Sequence, residues 1–450
     1  MGGRITINAK NIVGNSSGET RYDAETITNI AGTRFIQNAK EGIINDVNEP
    51  RKPIKTESTQ IKEIELLTTL NEGSANDGTG GMQKGMVFGK AYEVRVKSYT
   101  NGEPKDKSKI KWIVKYHSLS KNKWIEIHPK NTGENYHMGA DVKEMCGRYI
   151  YVGAYIEDIE TKVEMKIWKH NRFRYFDRQI VEKEIEERTY GKKPWKIDQS
   201  GTSLCGMACI FYLFAKEQPE NYKKFAKELF RTGEASFNKY TVKPSNEVLN
   251  KKPYIQGFPV SNRKYMPLID YITMAGTRNT DNPSYKGGDE EFEAINWTPL
   301  LTTLSEDLLG YKDVSSSGAY NPIANIAYSS DLIEIKIDDI NKQIRDGYRM
   351  ILMIDSDLID DVWDIDSFDL HWIVLESEIK EVKMLNEKGK TVVMLDFRLY
   401  SWGTNPNNND FIILNKKTKK PEENFEYRYL KRPITKTHFM NNYNGYIKIK

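Results

Sequence analysis

Cysteine and histidine are scarce in this chain, three and six respectively among 450 residues. Cys146, Cys205 and Cys209 are too few for a disulfide framework, and no Cys-x-x-Cys pair or Cys/His cluster has the spacing of a zinc site. Cys205 and Cys209 would share one helix face a single turn apart, a poor geometry for a disulfide, so free thiols are expected. Long apolar runs are missing as well. Nothing approaches the roughly 20 residues of a membrane helix, so no membrane span is expected. The opening residues, Met1-Gly2-Gly3-Arg4-Ile5-Thr6, lack the basic stretch and apolar core of a secretory signal, and synthesis in the cytoplasm without one is expected. Met1-Gly2 with Thr6 fits the myristoylation pattern, a match short enough to arise by chance. Charge is nearly balanced, formally +4. That is too little at this length to point to nucleic acid or an anionic membrane.

What is present divides the chain. At 450 residues it is long for one domain, and two or three folded units are expected. Residues 1–70 are polar and strand-rich, with Ile5-Thr6-Ile7-Asn8-Ala9-Lys10 faintly echoed by Arg34-Phe35-Ile36-Gln37-Asn38-Ala39-Lys40. Residues 71–87 have the composition of a Gly-rich linker. No strand is expected before these glycines and no Gly-Lys-Ser/Thr closes them, so a linker is expected rather than a phosphate loop. Over residues 88–170 the apolar period is two, as in Tyr92, Val94, Val96 and in Trp112, Val114, Tyr116. A small antiparallel β-sandwich of immunoglobulin-like size follows from that pattern. Its histidines, His117, His128, His137 and His170, lack metal-site spacing and are expected at the surface or with satisfied partners. Residues 171–191 form a helical connector, and residues 192–450 a last, α+β domain. There Tyr222, Phe225, Ala226, Leu229 and Phe230 mark an amphipathic helix closed by Gly233.

The chemistry concentrates in that last domain. Cys205 opens a hydrophobic run to Ala215 that has the pattern of a buried helix, and Gln199 stands one short loop upstream. A thiol at a helix N-terminus is stabilised as thiolate, and a nearby side-chain amide can stabilise an oxyanion. The base such a thiol needs is supplied by His371, which begins the apolar strand Leu370-His371-Trp372-Ile373-Val374-Leu375; His438 is its weaker competitor. A second strand, Thr391 to Gly403, follows a turn at Asn386–Gly389 and brings Ser401-Trp402-Gly403 back toward His371. Asp396 cannot orient the histidine. Pairing about that turn puts it opposite residue 380, on the order of 30 Å along the strand from His371.

Gln-x5-Cys opening a helix, a strand beginning with His, and Ser-Trp-Gly after the next strand resemble the papain-like cysteine peptidases. The order of helix, Gly347, apolar strand and His-Trp-Ile-Val is also similar to the related C39-type peptidases. The resemblance covers roughly residues 192–414 through three short motifs, with Asp410-Phe411-Ile412-Ile413 as the strand after Ser-Trp-Gly. It implies Cys205 as nucleophile, His371 as general base and acid, Gln199 with the Cys205 backbone N–H as the oxyanion hole, and Trp402 as a shield. It also implies amide-bond hydrolysis without a metal or organic cofactor. The position that holds Asn in the papain pattern is Tyr400 here, so Tyr400, Ser401 and Asn405 are the candidates to orient His371. The short strand repeats of residues 1–40 resemble spike-associated proteins of bacterial type VI secretion systems. That likeness implies an exported effector toxin with a secretion-spike carrier and an immunity protein as partners. Protein backbones and peptidoglycan stem peptides, as for an amidase, are the two substrate classes; a non-catalytic binding or adhesive protein on a degraded peptidase scaffold is the alternative.

Overall fold

The computed structural model describes residues 58–450 except 140, 255–256, 262–263, 289–290, 318–329, 360–369, 386–388, 402 and 404–432. Thr59–Lys450 form one compact unit, of mixed α/β structure with several antiparallel sheets. Among the described residues no helix is long and apolar enough to cross a membrane.

The first part is all β: β1 (Ile61–Leu66), β2 (Asn71–Ser74), β3 (Met82–Gly85), β4 (Tyr92–Tyr99), β5 (Lys111–Ser118), β6 (Lys123–Ile127), β7 (Asn135–Met138), β8 (Arg148–Tyr155) and β9 (Val163–Lys169). The period-two pattern does what it should. In β4, Tyr92, Val94 and Val96 point inward while Arg95 and Lys97 face water. One sheet has the order β1-β4-β7 and the other β6-β5-β8-β9. Their inner faces share a core that includes Ile61, Ile64, Val94, Trp112, Val152 and Ile167. Because Ile61 and Ile64 lie in that core, the β region begins at β1 rather than at residue 88, and β1 belongs to it, not to a separate segment ending at 70.

The stretch 71–87 is not a flexible linker. It forms the hairpin β2–β3, in register from Asn71↔Gly85 to Ser74↔Met82. Its glycines permit close packing rather than flexibility. A Cβ on Gly73 would lie 2.6 Å from the His170 ring, and one on Gly85 2.8 Å from its Nε2. Gly78 and Gly80, at φ +77° and +76°, make the turn. His170 itself is buried with both nitrogens engaged: Nδ1 accepts from Trp168 Nε1 at 3.2 Å and Nε2 donates to the Asn71 carbonyl at 3.1 Å.

α1 (Arg178–Arg188) starts at Asp177, whose carboxylate caps the N–H groups of Gln179 and Ile180. Next come α2 (Cys205–Glu217) and α3 (Pro219–Thr232), the latter ended by Gly233 at φ +69°. Small elements follow: β10 (Ala235–Phe237) paired with β11 (Tyr240–Val242), α4 (Asn246–Leu249), and β12 (Phe258–Ser261) paired with β13 (Lys264–Met266). Then α5 (Leu268–Asp270) runs through a π-helical turn (Tyr271–Ala275) into α6 (Gly276–Asp281), before α7 (Glu291–Ala294) and α8 (Thr298–Thr303).

The remaining strands are β14 (Val314–Ser317), β15 (Arg349–Asp355), β16 (Leu370–Leu375), β17 (Lys380–Leu385), β18 (Thr391–Asp396), β19 (Leu399–Tyr400), β20 (Ile434–Thr435) and β21 (Tyr443–Ile449), with helices α9 (Ser330–Arg345) and α10 (Lys436–Asn442). An antiparallel sheet of order β14-β21-β15-β16-β19 is apolar on both faces. Ile351, Met353, Trp372, Val374 and Tyr400 pack with α2 on one face. Met350, Leu352, Ile354, Ile373 and Leu375 pack with Ile337 and Ile340 of α9 and Phe439 and Met440 of α10 on the other. The expected strand from Thr391 to Gly403 divides in two. β18 pairs with β17, setting Asp396 opposite Lys380, whereas only Leu399 and Tyr400 pair with β16.

A buried ion pair ties α1 to α5. Arg188 donates from Nε to Asp270 Oδ1 at 3.0 Å and from Nη2 to Oδ2 at 2.6 Å, with the side chains 2% and 0% exposed. Asp270 also accepts the Asp198 N–H at 2.9 Å. Removing one member leaves a buried, uncompensated charge, so Asp270→Ala should lower unfolding free energy by about 3–5 kcal/mol. Urea denaturation checks this, and a loss below about 1 kcal/mol would contradict the assigned role.

Candidate active site

Helix α2 is apolar around its whole circumference: every residue from Cys205 to Ala215 is buried. It runs alongside β16 and is tied to it at three levels. Lys216 pairs with Glu376 at the far end. Tyr212 donates to Glu376 at 2.8 Å and stacks on Tyr400 with ring centroids 3.8 Å apart. At the near end Asn296 bridges the two elements, its Oδ1 accepting the Met207 N–H at 3.0 Å and its carbonyl the Trp372 Nε1–H at 2.9 Å. From Lys216 back to Cys205 the helix rises about 16 Å. From Glu376 back to His371 the strand also spans about 16 Å. Cys205 and His371 are therefore level, at the same end of the sheet.

Cys205 is the first residue of α2 and is 7% exposed. The preceding Leu204 offers no side-chain cap, so the helix start depends on Asn296 and on the backbone. The helix dipole favours a thiolate here. The other thiols are poorly placed. Burial pushes Cys209 well above its ordinary range, and Cys205 one turn back adds to this; burial likewise raises Cys146. Packing is the role expected of Cys209, and its complete enclosure fits that role.

Gln199 lies in a compact turn before the helix. Its Nε2 donates to the Thr202 carbonyl at 2.8 Å, Thr202 Oγ1 donates back to the Gln199 carbonyl at 2.8 Å, and Ser200 adopts φ +55°. An amide NH2 has two hydrogens. The hydrogen not given to Thr202 is the one an oxyanion would use. Ser200 N–H bonds Asp198 Oδ1 at 2.7 Å, and Gly403, at φ +72°, approaches so closely that a Cβ there would lie 3.2 Å from the Asp198 Cβ. Gly403 thus lies beside the segment that leads into the Gln199 turn.

His371 is 4% exposed, and its Nε2 lies 2.7 Å from Ser401 Oγ. Burial lowers its pKa from 6.5 to about 3, so the resting imidazole is neutral. Of the residues proposed to orient it, Ser401 makes the contact. Tyr400 does not: its hydroxyl donates to the Ile197 carbonyl at 2.5 Å and its ring lies on Tyr212, so it clamps the sheet to the segment before Cys205. The reason is strand alternation, which sends Tyr400 and Ser401 to opposite faces. Trp402 and Asn405 lie outside the described residues.

The same alternation fixes the face of His371. Trp372 and Val374 point toward α2, whereas Ile373 and Leu375 point to the α9 and α10 layer. His371 shares the second face with Ile373 and Ser401, and β16 starts only one residue before it, at Leu370. His438 is placed elsewhere, on α10, with its Nδ1 3.4 Å from Asn442 Nδ2.

Two residues that hold the site together carry no motif. Asn296 sits in the short loop between α7 and α8, without periodicity, and gives no signal. Asp270 does give one: an acid within Leu268-Ile269-Asp270-Tyr271-Ile272 must be buried and so requires a partner. Among the described residues no group of three or more His, Cys, Asp and Glu could hold a metal ion. Compared with protein-family models, curated proteins and solved structures, the chain matches none.

The depressed His371 pKa has a sign. Below about pH 6.5 the unfolded chain takes up a proton at this residue that the folded chain refuses until about pH 3. Stability from this group is therefore complete above pH 6.5 and is lost as pH falls toward 3, at up to about 1.4 kcal/mol per pH unit. His371→Gln should flatten the pH dependence of urea unfolding between about pH 5 and 7 relative to the unsubstituted protein. An unchanged slope would show that His371 titrates freely.

Proposed function

We propose that residues 192–450 are a papain-like cysteine hydrolase that cleaves amide bonds, with Cys205 as nucleophile and His371 as general base and acid. The observation that carries this reading is the level placement of Cys205, first in α2, and His371, second in β16. The Gln199 turn and Gly403 meet at the same end. With a neutral imidazole at rest, the proton leaves the thiol for His371 as sulfur attacks the carbonyl. The Cys205 N–H and the second Gln199 amide hydrogen face the developing oxyanion. His371 then protonates the departing amine and activates water to release the acyl group. Ser401 takes the place of the orienting Asn.

On this reading the β region from β1 to β9 is an immunoglobulin-like spacer, and the protein is a bacterial effector toxin carried on a secretion spike and matched by an immunity protein. The substrate is a protein backbone or, for an amidase, the stem peptide of peptidoglycan. A second reading, a binding protein on a degraded peptidase scaffold, is favoured by one observation: alternation along β16 turns His371 from the face that α2 covers.

Incubation with purified sacculi and with casein separates these. Release of soluble muropeptides with casein intact makes the protein an amidase, and casein cleavage makes it a protease. Cys205→Ala should abolish either activity, and Ser401→Ala should lower it about tenfold through loss of one hydrogen bond to the base. Activity that survives Cys205→Ala would end the catalytic proposal.

A further inference from the structure

The β region holds a second polar constellation, remote in sequence from Cys205 and used by nothing above. Between the outer face of the β6-β5-β8-β9 sheet, the β2–β3 hairpin and the start of α1 is an open cavity of about 380 Å³. Its size falls in the range of small-ligand sites. Arg148, His117, Tyr149, Trp168, Asn76 and Arg178 are among the residues that line it, and no acidic side chain is.

Arg148 is only 8% exposed. Its Nε donates to the Cys146 carbonyl at 3.3 Å and its Nη1 to the His117 carbonyl, while Nη2 is buried without a partner. Arg178, from another element, has a buried Nε in the same condition. Neither guanidinium forms an ion pair among the described residues. The acids nearby are already committed. Glu144 accepts from Ser118 Oγ, Leu119 N–H and Arg231. Asp177 accepts from Ser74 Oγ, Gly78 N–H and the first N–H groups of α1. The Arg148 guanidinium is largely withdrawn from water and half-buried Arg178 keeps a buried Nε without a partner, both costly, and their fork geometry matches a planar carboxylate. The wall beside them is aromatic: Tyr149 and Trp168 meet edge to face at 5.2 Å. Lys166 already lies 4.0 Å over the Tyr149 ring, which disfavours stacking of a sugar or base there and leaves the ring edges for apolar contact.

We propose that this cavity binds a carboxylate borne on a small apolar body, with Arg148 and Arg178 holding the carboxylate and Tyr149 and Trp168 the body. The chemistry is shared by a peptide C-terminus and a small free acid. Calorimetric titration of the full chain with N-acetyl-alanyl-phenylalanine, its C-terminal amide, succinate and inorganic phosphate distinguishes them. At least one free acid should bind, and the dipeptide acid at least about tenfold more tightly than its amide if the source is a peptide terminus. Tighter binding of succinate assigns the site to a small acid. Arg178→Gln, a change at a half-buried residue, should weaken the preferred acid at least about tenfold without moving the thermal midpoint of the free protein. The proposal is overturned if no carboxylate binds up to about 10 mM, if phosphate binds more tightly than either acid, or if Arg178→Gln leaves binding unchanged. An Arg148→Met variant that folds and still binds would overturn it equally.

Discussion

A helix apolar on every side has to be enclosed on every side, and α2 is such a helix. Water excluded from Cys209 through Ala215 is excluded from the first turn as well, so Cys205 sits at the edge of a dry interior rather than on a surface. The antiparallel sheet closes one side of α2, and the packing of α3 and the α5–α6 segment closes the rest. Because that sheet is itself apolar on both faces, it needs the α9 and α10 layer behind it. The layered arrangement of the last domain follows from this one requirement.

Enclosure makes the polar groups at the helix start expensive unless each is satisfied, and the structure satisfies them through residues far apart in sequence. Asn296 supplies the cap that Leu204 lacks and fixes Trp372 with its carbonyl. Asp270, neutralised by Arg188, holds the Asp198 N–H and with it the turn that contains Gln199. Tyr400 pins Ile197 from the sheet side. Burial on the other face of the sheet keeps His371 neutral at rest.

Local signals were legible where one interaction dominates. The Cys205 helix, the Gly233 stop, the inward set of β4 and β5, and the pairing of Asp396 with Lys380 all follow from periodicity or turn chemistry. The glycines of 71–87 were misleading because glycine serves both flexible chain and close packing, and only the buried His170 ring decides between them. Of the candidates to orient the histidine, strand alternation turns Tyr400 toward α2 and leaves Ser401 in contact with His371. The face of His371 and the bridge by Asn296 depend on the mutual placement of elements up to 203 residues apart, as in the Tyr400–Ile197 bond, and no local pattern carries that information.

The central claim is that Cys205 and His371 act as a pair. The rate of Cys205 alkylation by limiting iodoacetamide, followed by peptide mass spectrometry in the native protein and in His371→Gln, tests it most directly. The account predicts that Cys205 is labelled well ahead of Cys146 and that the substitution slows it at least about tenfold. Labelling of Cys205 no faster than Cys146, or at the same rate without the imidazole, would contradict it.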